Sequence, residues 1–364
     1  MRVLLISGSF PPMKCGVGDY TAQLANSLAI LPNTYVGVLA DVAVEGTTLD
    51  SPIDIFPIAH GWGFRDVPVI LRTARQWQPD IVHIQFPGNG YKSNMPWLLP
   101  TLLLSLNVPV VQTWHNYYEY VRFWHNLPNT LLPGGLVVVR PHYKENMPNW
   151  YRRLIAHKQF RYIPNASAIP QVTLSSVEQV ALKAQWTNNG RALLVYFGFS
   201  FPPKGVDLLF DIADPAQHQL VIVSDLKPDN PYHQHILERA RQPVWANQAV
   251  TPGFLPAAEA ARLLAIADAV VLPFREGGGS WNTSIQGAAL QGTFVLTTSF
   301  ERHGYDSEEN IYYAHPENLS DLRQALSTYL GRRNSLEAAR RFAKWESIAD
   351  AHLELYHRLI GREH

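Results

Sequence analysis

Short apolar runs alternate with helical stretches along nearly the whole of this 364-residue chain. In the first half the runs are RVLLISGS, TYVGVLA, IDIFPIA, DIVHIQFP and VPVVQTWH, with LVVVRP as a further candidate. In the second half they are QVTLSS, ALLVYFGF, QLVIVSD, AVTPGFL, AVVLPF, TFVLTTS and NIYYA. Near-continuous apolar runs bounded by turn residues predict strands covered on both faces, and their alternation with helices predicts parallel βαβ units. The helix after the first run is expected to present Tyr20, Leu24 and Leu28 on one face, with Asp19 as its cap. The last helix, from about Trp345 to Ile360, sets Trp345, Ile348, Leu355 and Leu359 on one stripe. Neither a repeat period nor a low-complexity tract interrupts the pattern.

Two similar sheets in tandem follow, and the length suits two domains rather than one core. The turn-rich segment YIPNASAIP lies between the two sets of strands, which places a hinge near 165–170. The expected domains are 1–167 and 168–342, with a final helix over 343–364 that could cross back to the first. MPWLLPTLLLSLNVPVV is broken by prolines and Asn107, so it predicts a buried helix and then a strand instead of a membrane span. MRVLLISGSFPP lacks the apolar core and cleavage site of a signal peptide and reads as a first strand. Cys15 is the sole cysteine, which excludes an intrachain disulfide and points to a reducing, cytoplasmic setting, with the inner face of a membrane left open. Thirty basic and thirty acidic residues cancel, so bulk charge predicts no nucleic-acid partner.

In open parallel sheets ligands bind beyond the carboxyl ends of the strands. After the first strand, GSFPPMKCGVGDY offers Gly16 and Gly18 at a helix start, where backbone N–H groups can approach a ligand; taken alone the loop reads more readily as simple turn chemistry. It is neither a Rossmann fingerprint nor a Walker loop. After AVVLPF come Glu276, Gly277, Gly278, Gly279 and Ser280, ahead of a helix from about Asn282. Amides at that helix start suit phosphate oxygens, whereas the Glu276 carboxylate repels phosphate and suits hydroxyls. A nucleotide diphosphate joined to a sugar carries both groups. In YFGFSFPPKGVDLLF, Lys204 can neutralise a diphosphate leaving group, or simply be a solvated lysine.

These stretches, taken with VVQTWHN, VTPGFLPAAEAARLLAIADAVVLPFREGGG and SIQGAALQGTFVLTT, resemble the retaining glycosyltransferases of the GT-B fold, the group called family 4 or glycosyl transferases group 1. The resemblance runs through almost the whole chain in the expected order. It implies an α/β chain of two Rossmann-like parallel-sheet domains facing across a cleft, the nucleotide sugar held mainly by the second and the acceptor by the first. It implies sugar transfer from a nucleotide-diphosphate sugar to an acceptor hydroxyl with retention at the anomeric carbon, with no cofactor and no metal. By the same resemblance Gly16 and Gly18 match the glycine loop near the donor phosphate, and His115 the histidine beside the transferred sugar. Lys204 matches the diphosphate lysine, and Glu276 the first of two paired glutamates. Gly253, Phe254 and Leu255 match the segment against the base.

Three positions depart from the family pattern. Phe199 stands where an arginine is usual, with Lys14, Arg275 and Arg140 as candidate substitutes. Ser284 replaces the second glutamate, and Asn116 the acidic residue after the histidine. The acceptor is left open between a glycan and a lipid-linked molecule. RPHYKENMPNWYRRLIAHKQFRY interleaves basic and aromatic residues, which permits an anionic acceptor, peripheral membrane contact or a solvated helix face. Stacking of Trp114, Tyr117 or Tyr118 on a sugar is a further expectation. The pair His233 and His235 lacks a third ligand and predicts no metal. Other readings of the chain are a non-catalytic nucleotide- or glycan-binding protein, and a nucleotide-sugar epimerase or phosphorylase on a similar fold.

Overall fold

Each half of the chain builds its own seven-stranded sheet. The computed structural model describes residues 1–47, 52–88, 90–116, 127, 130–187, 190–279 and 281–361. Its two units are Met1–Asn165 with Lys344–His364, and Ala166–Ala343.

In the first unit the strands are β1 (Arg2–Ser7), β2 (Tyr35–Asp41), β3 (Ile53–Ala59), β4 (Ile81–Phe86), β5 (Val110–Trp114), β6 (Gly135–Val138) and β7 (Gln159–Tyr162). Their order is β3-β2-β1-β4-β5-β6-β7, and all neighbours pair in parallel. In the second unit they are β8 (Ala192–Phe197), β9 (His218–Val223), β10 (Ala249–Val250), β11 (Ala269–Leu272), β12 (Val295–Thr298), β13 (Gly304–Asp306) and β14 (Ile311–Ala314). The order there is β10-β9-β8-β11-β12-β14-β13, parallel except for the β13–β14 pair. Val3 to Ile6 and the whole of β11 are buried on both faces, which is why they read as unbroken apolar runs. The chain reverses its direction across the sheet between β1 and β4 in one unit and between β8 and β11 in the other. A crevice opens at such switch points because the flanking connections leave in opposite directions.

The last helix, Trp345–Ile360, packs on the first unit through a polar layer. His83 Nδ1 lies 2.6 Å from the Tyr356 hydroxyl and His83 Nε2 2.7 Å from Thr113 Oγ1. His352 Nε2 faces the Tyr20 hydroxyl at 3.4 Å, and the Trp345 ring meets Tyr20 edge-on at 5.2 Å.

Several local expectations need correction. QVTLSS is not a strand: Ser175 and Glu178 form a reciprocal capping box that opens the helix Ser176–Trp186. Just ahead of it, the Gln171 side chain donates to the Leu290 and Leu336 carbonyls, and the Gln291 side chain bonds the backbone of Pro170 and Val172, in place of a strand neighbour. AVTPGFL contributes only Ala249–Val250, since Pro252 cannot donate to a ladder. The short strands β7 and β13 were too polar to predict. Asp19 lies in the first turn of the helix Gly16–Ala29, whose N-cap is Cys15. The segment 140–162 is not a single solvated helix face: it divides into a turn, the short helix Asn149–Leu154 and β7, with Tyr151 buried and Trp150 exposed. MPWLLPTLLLSL forms short helical turns that end at Asn107, and among the described residues no helix is long and apolar enough to cross a membrane.

Candidate functional site

The predicted site residues follow the carboxyl ends of strands in each sheet: β1 and β5 in the first, β8, β10 and β11 in the second. In the first unit the loop after β1 leads into the helix Gly16–Ala29, whose N-cap offers no side-chain acceptor. The amides of Gly16, Val17 and Gly18 have no hydrogen-bond partner among the described residues. Gly18 packs closely on the loop before it, since a Cβ there would stand 3.1 Å from the Ser9 backbone. Cys15, the N-cap of this helix, is buried.

His115 follows β5 directly. Its N–H donates to the Phe86 carbonyl at 2.9 Å, its Nε2 lies 2.9 Å from Gln85 Oε1, and Tyr20 packs edge-on at 4.8 Å. Burial, helped by the charge of His352, presses its pKa down to about 3. The imidazole is therefore neutral at physiological pH and suits a hydrogen bond to a hydroxyl, not service as a strong base. Trp114, by contrast, is a core residue: it is buried, bonds Gln112 Oε1 at 3.2 Å and stacks on Tyr151. Tyr117 and Tyr118 lie outside the described residues.

In the second unit Lys204 closes a turn, Pro202–Lys204, just after β8, with its ammonium 4.5 Å from the centre of the Phe274 ring. Glu276 is exposed on the loop after β11, the neighbouring strand. Gly277 takes φ 72°, and the Gly278 N–H donates to the Thr298 carbonyl at 2.6 Å. A Cβ on Gly279 would collide with the Trp281 ring at 2.3 Å, so the run of glycines is a steric requirement. Ser280 lies outside the described residues.

The helix Thr283–Ala289 departs from expectation. Asn282 caps it, its Oδ1 accepting from the N–H groups of Ser284 at 3.0 Å and Ile285 at 3.4 Å, so these amides are not open to phosphate. Ser284 turns instead toward Gly198, where a Cβ would sit 2.9 Å from the serine oxygen. Two of the three departures from the family pattern, Phe199 and Ser284, thus adjoin the same turn. Phe254 is half exposed beyond β10, with Leu255 packed against the core.

Arg275, a candidate substitute for the arginine missing at Phe199, is engaged within the protein. Its guanidinium holds Asp207 through two bonds of 2.8 Å and also binds Glu317. Of the pair His233 and His235, the first is buried, accepts from the Lys227 N–H at 2.9 Å and reaches the Ser200 carbonyl at 2.7 Å, while His235 is exposed. Among the described residues no group of three or more His, Cys, Asp or Glu is placed to hold a metal.

Solved structures share the fold over the full chain. Sucrose-phosphate synthase from Thermosynechococcus elongatus is 16% identical, with 100% of each chain covered and a TM-score of 0.76. A glycosyltransferase from Rickettsia africae is 13% identical, covering 100% of this chain and 99% of that one, at 0.73. HepE from Anabaena, in complex with UDP and glucose, is 15% identical, covering 99% of this chain and 100% of that one, at 0.70. This is the GT-B glycosyltransferase fold. Residues 16–170 match the family model described as Glycosyltransferase Family 4. No curated protein matches the chain by sequence.

Within this GT-B chain sequence reasoning missed Asp207, three residues after Lys204, and Gln85 beneath His115. Asp207 had a signal, because a carboxylate so near an expected phosphate site needs a cation of its own. Gln85 had none, since a glutamine at the end of a buried strand carries no spacing rule.

Proposed function

We propose that this chain is a retaining glycosyltransferase that moves a sugar, of hexose type, from a nucleotide-diphosphate sugar to an acceptor hydroxyl. The observation that carries the reading is the pairing, at the β8–β11 switch point, of one ammonium and one exposed carboxylate on adjoining loops. Lys204 offsets the charge that develops on the departing diphosphate, and Glu276 binds hydroxyls of the transferred sugar. The Gly277–Gly279 loop lets the donor approach the backbone, and Phe254 with Leu255 lies against the base. In the first unit the Gly16 and Gly18 amides serve the phosphate side and neutral His115 bonds the sugar.

A front-face displacement fits the carboxylates available. A covalent glycosyl-enzyme needs a free carboxylate as nucleophile beside the one that binds the sugar hydroxyls, and Asp207 and Glu317 are both bound to Arg275. In the displacement the anomeric C–O bond to phosphate breaks and a bond to the acceptor oxygen forms on the same face. The acceptor proton passes to a diphosphate oxygen. Positioning and electrostatics supply most of the acceleration.

UDP sugars are the first donors to test, because HepE was solved with UDP and glucose. Release of nucleoside diphosphate that depends on an acceptor, with a product whose anomeric configuration by NMR equals the donor's, is the expected result. An inverted product refutes retention. Interconversion of the donor without acceptor supports an epimerase, and consumption of inorganic phosphate a phosphorylase.

A further inference from the structure

The guanidinium of Arg275 lies between the two loops that carry Lys204 and Glu276. Nη1 and Nη2 donate to the two oxygens of Asp207, each at 2.8 Å, and Nη1 also donates to the Pro202 carbonyl at 3.0 Å. Nε reaches Glu317 at 3.1 Å, and the Arg275 backbone N–H donates to the Pro203 carbonyl at 2.9 Å. Asp207 in turn accepts from the Tyr232 hydroxyl at 2.7 Å. Gly205, at φ 63°, presses its backbone against the end of β11, so that a Cβ there would stand 2.1 Å from the Pro273 carbonyl oxygen.

The pair has the marks of a built device. Its side chains are only 28% and 18% exposed, the geometry is bidentate, and each nitrogen of the guanidinium has an acceptor. Burial pushes the Asp207 carboxyl up, but the Arg275 fork and the Tyr232 hydroxyl outweigh it and bring the pKa down to about 2. The same bonds hold Arg275 above its ordinary range.

The geometry points to Arg275 and Asp207 as positioning residues, whose ion pair fixes the turn bearing Lys204 against the loop bearing Glu276 and so sets the spacing of the two donor-binding groups before the donor arrives. This rests on the proposed roles of Lys204 and Glu276. Both loops are irregular, and an unclamped pair would have to be ordered by the donor at the expense of affinity.

The test has two arms on the full chain. Without nucleotide, amide hydrogen exchange is compared in wild type, Asp207→Asn and Arg275→Lys. The clamp predicts that exchange rises together, by about tenfold or more, over 204–208 and at Gly277 and Gly278, while β9 is unchanged. Unchanged exchange, or a rise in only one loop, overturns it. In the second arm UDP binding is measured by calorimetry. Asp207→Asn is expected to weaken UDP about tenfold, and in a Lys204→Met background to add less than about twofold, because both changes then act through one group. Tighter UDP binding by Asp207→Asn would instead make Arg275 a direct phosphate contact held back by its partner, and the positioning role falls. If wild type fails to bind any nucleoside diphosphate, the donor-site reading fails, while the exchange arm still decides the clamp. Tyr232→Phe, which spares the ion pair, replaces Asp207→Asn if that variant does not fold; a smaller rise in the same two loops is then expected, and none overturns the clamp.

Discussion

Lys204→Met is expected to lower kcat/KM by about two to three orders of magnitude with the preferred nucleotide sugar. Methionine keeps an unbranched stem beside the Phe274 ring and removes only the charge, so the folded state should survive with its melting temperature little changed. Much of the loss should appear in kcat, because the diphosphate gains negative charge as the anomeric bond breaks and one ammonium meets it there. Glu276→Ala should cost less, about one to two orders of magnitude, the value of a charge-assisted bond to a sugar hydroxyl. Steady-state kinetics on both variants checks the pair. Equal rates in wild type and both variants would remove these assignments.

The second large effect is acid lability of the first unit. Burial holds His115 near 3 and His352 near 4, and it lowers His83 as well, with the charges of His352 and His115 as further causes. All three are neutral in the folded chain and near their ordinary value of 6.5 when unfolded. Between those values the unfolded state binds more protons, so stability is fully present above about pH 6.5 and is lost as pH falls toward 4. His352 alone accounts for roughly 3 kcal/mol by the lower end. Asp19 acts in the opposite sense, since burial raises it to about 6 and acid relieves the cost of its buried charge. Three histidines against one aspartate leave a net loss. Thermal unfolding at pH 7.5 and pH 4.5 should differ by roughly 5–10 °C in the transition of this unit, and His352→Met should reduce the difference. A transition that does not move with pH would show that these histidines titrate normally.

The parallel sheets were legible because buried strands such as β1 and β11 repeat a simple signal, an apolar run with no polar face. The ends of the fold were not: β7 and β13 are half-exposed edge strands whose residues suit many structures. QVTLSS misled because its apolar residues outweighed the Ser175–Glu178 capping box, a two-residue signal within a longer pattern. At the site the positions of Lys204 and Glu276 followed from the rule that ligands sit beyond strand ends. What each side chain bonds did not follow. Arg275 stands next to Glu276 in sequence, yet its partner Asp207 comes from the loop after another strand, and pairings across strands leave no trace in local spacing. The same holds for His83, His352 and Tyr356, brought together only when the last helix packs on the first unit.

A structure of the chain bound to a UDP sugar tests the central claim most directly. The account predicts a diphosphate oxygen within about 3 Å of Lys204 Nζ and a hydroxyl of the sugar within about 3 Å of a Glu276 oxygen. A donor seated elsewhere, away from Lys204 Nζ and the Glu276 carboxylate, would contradict it.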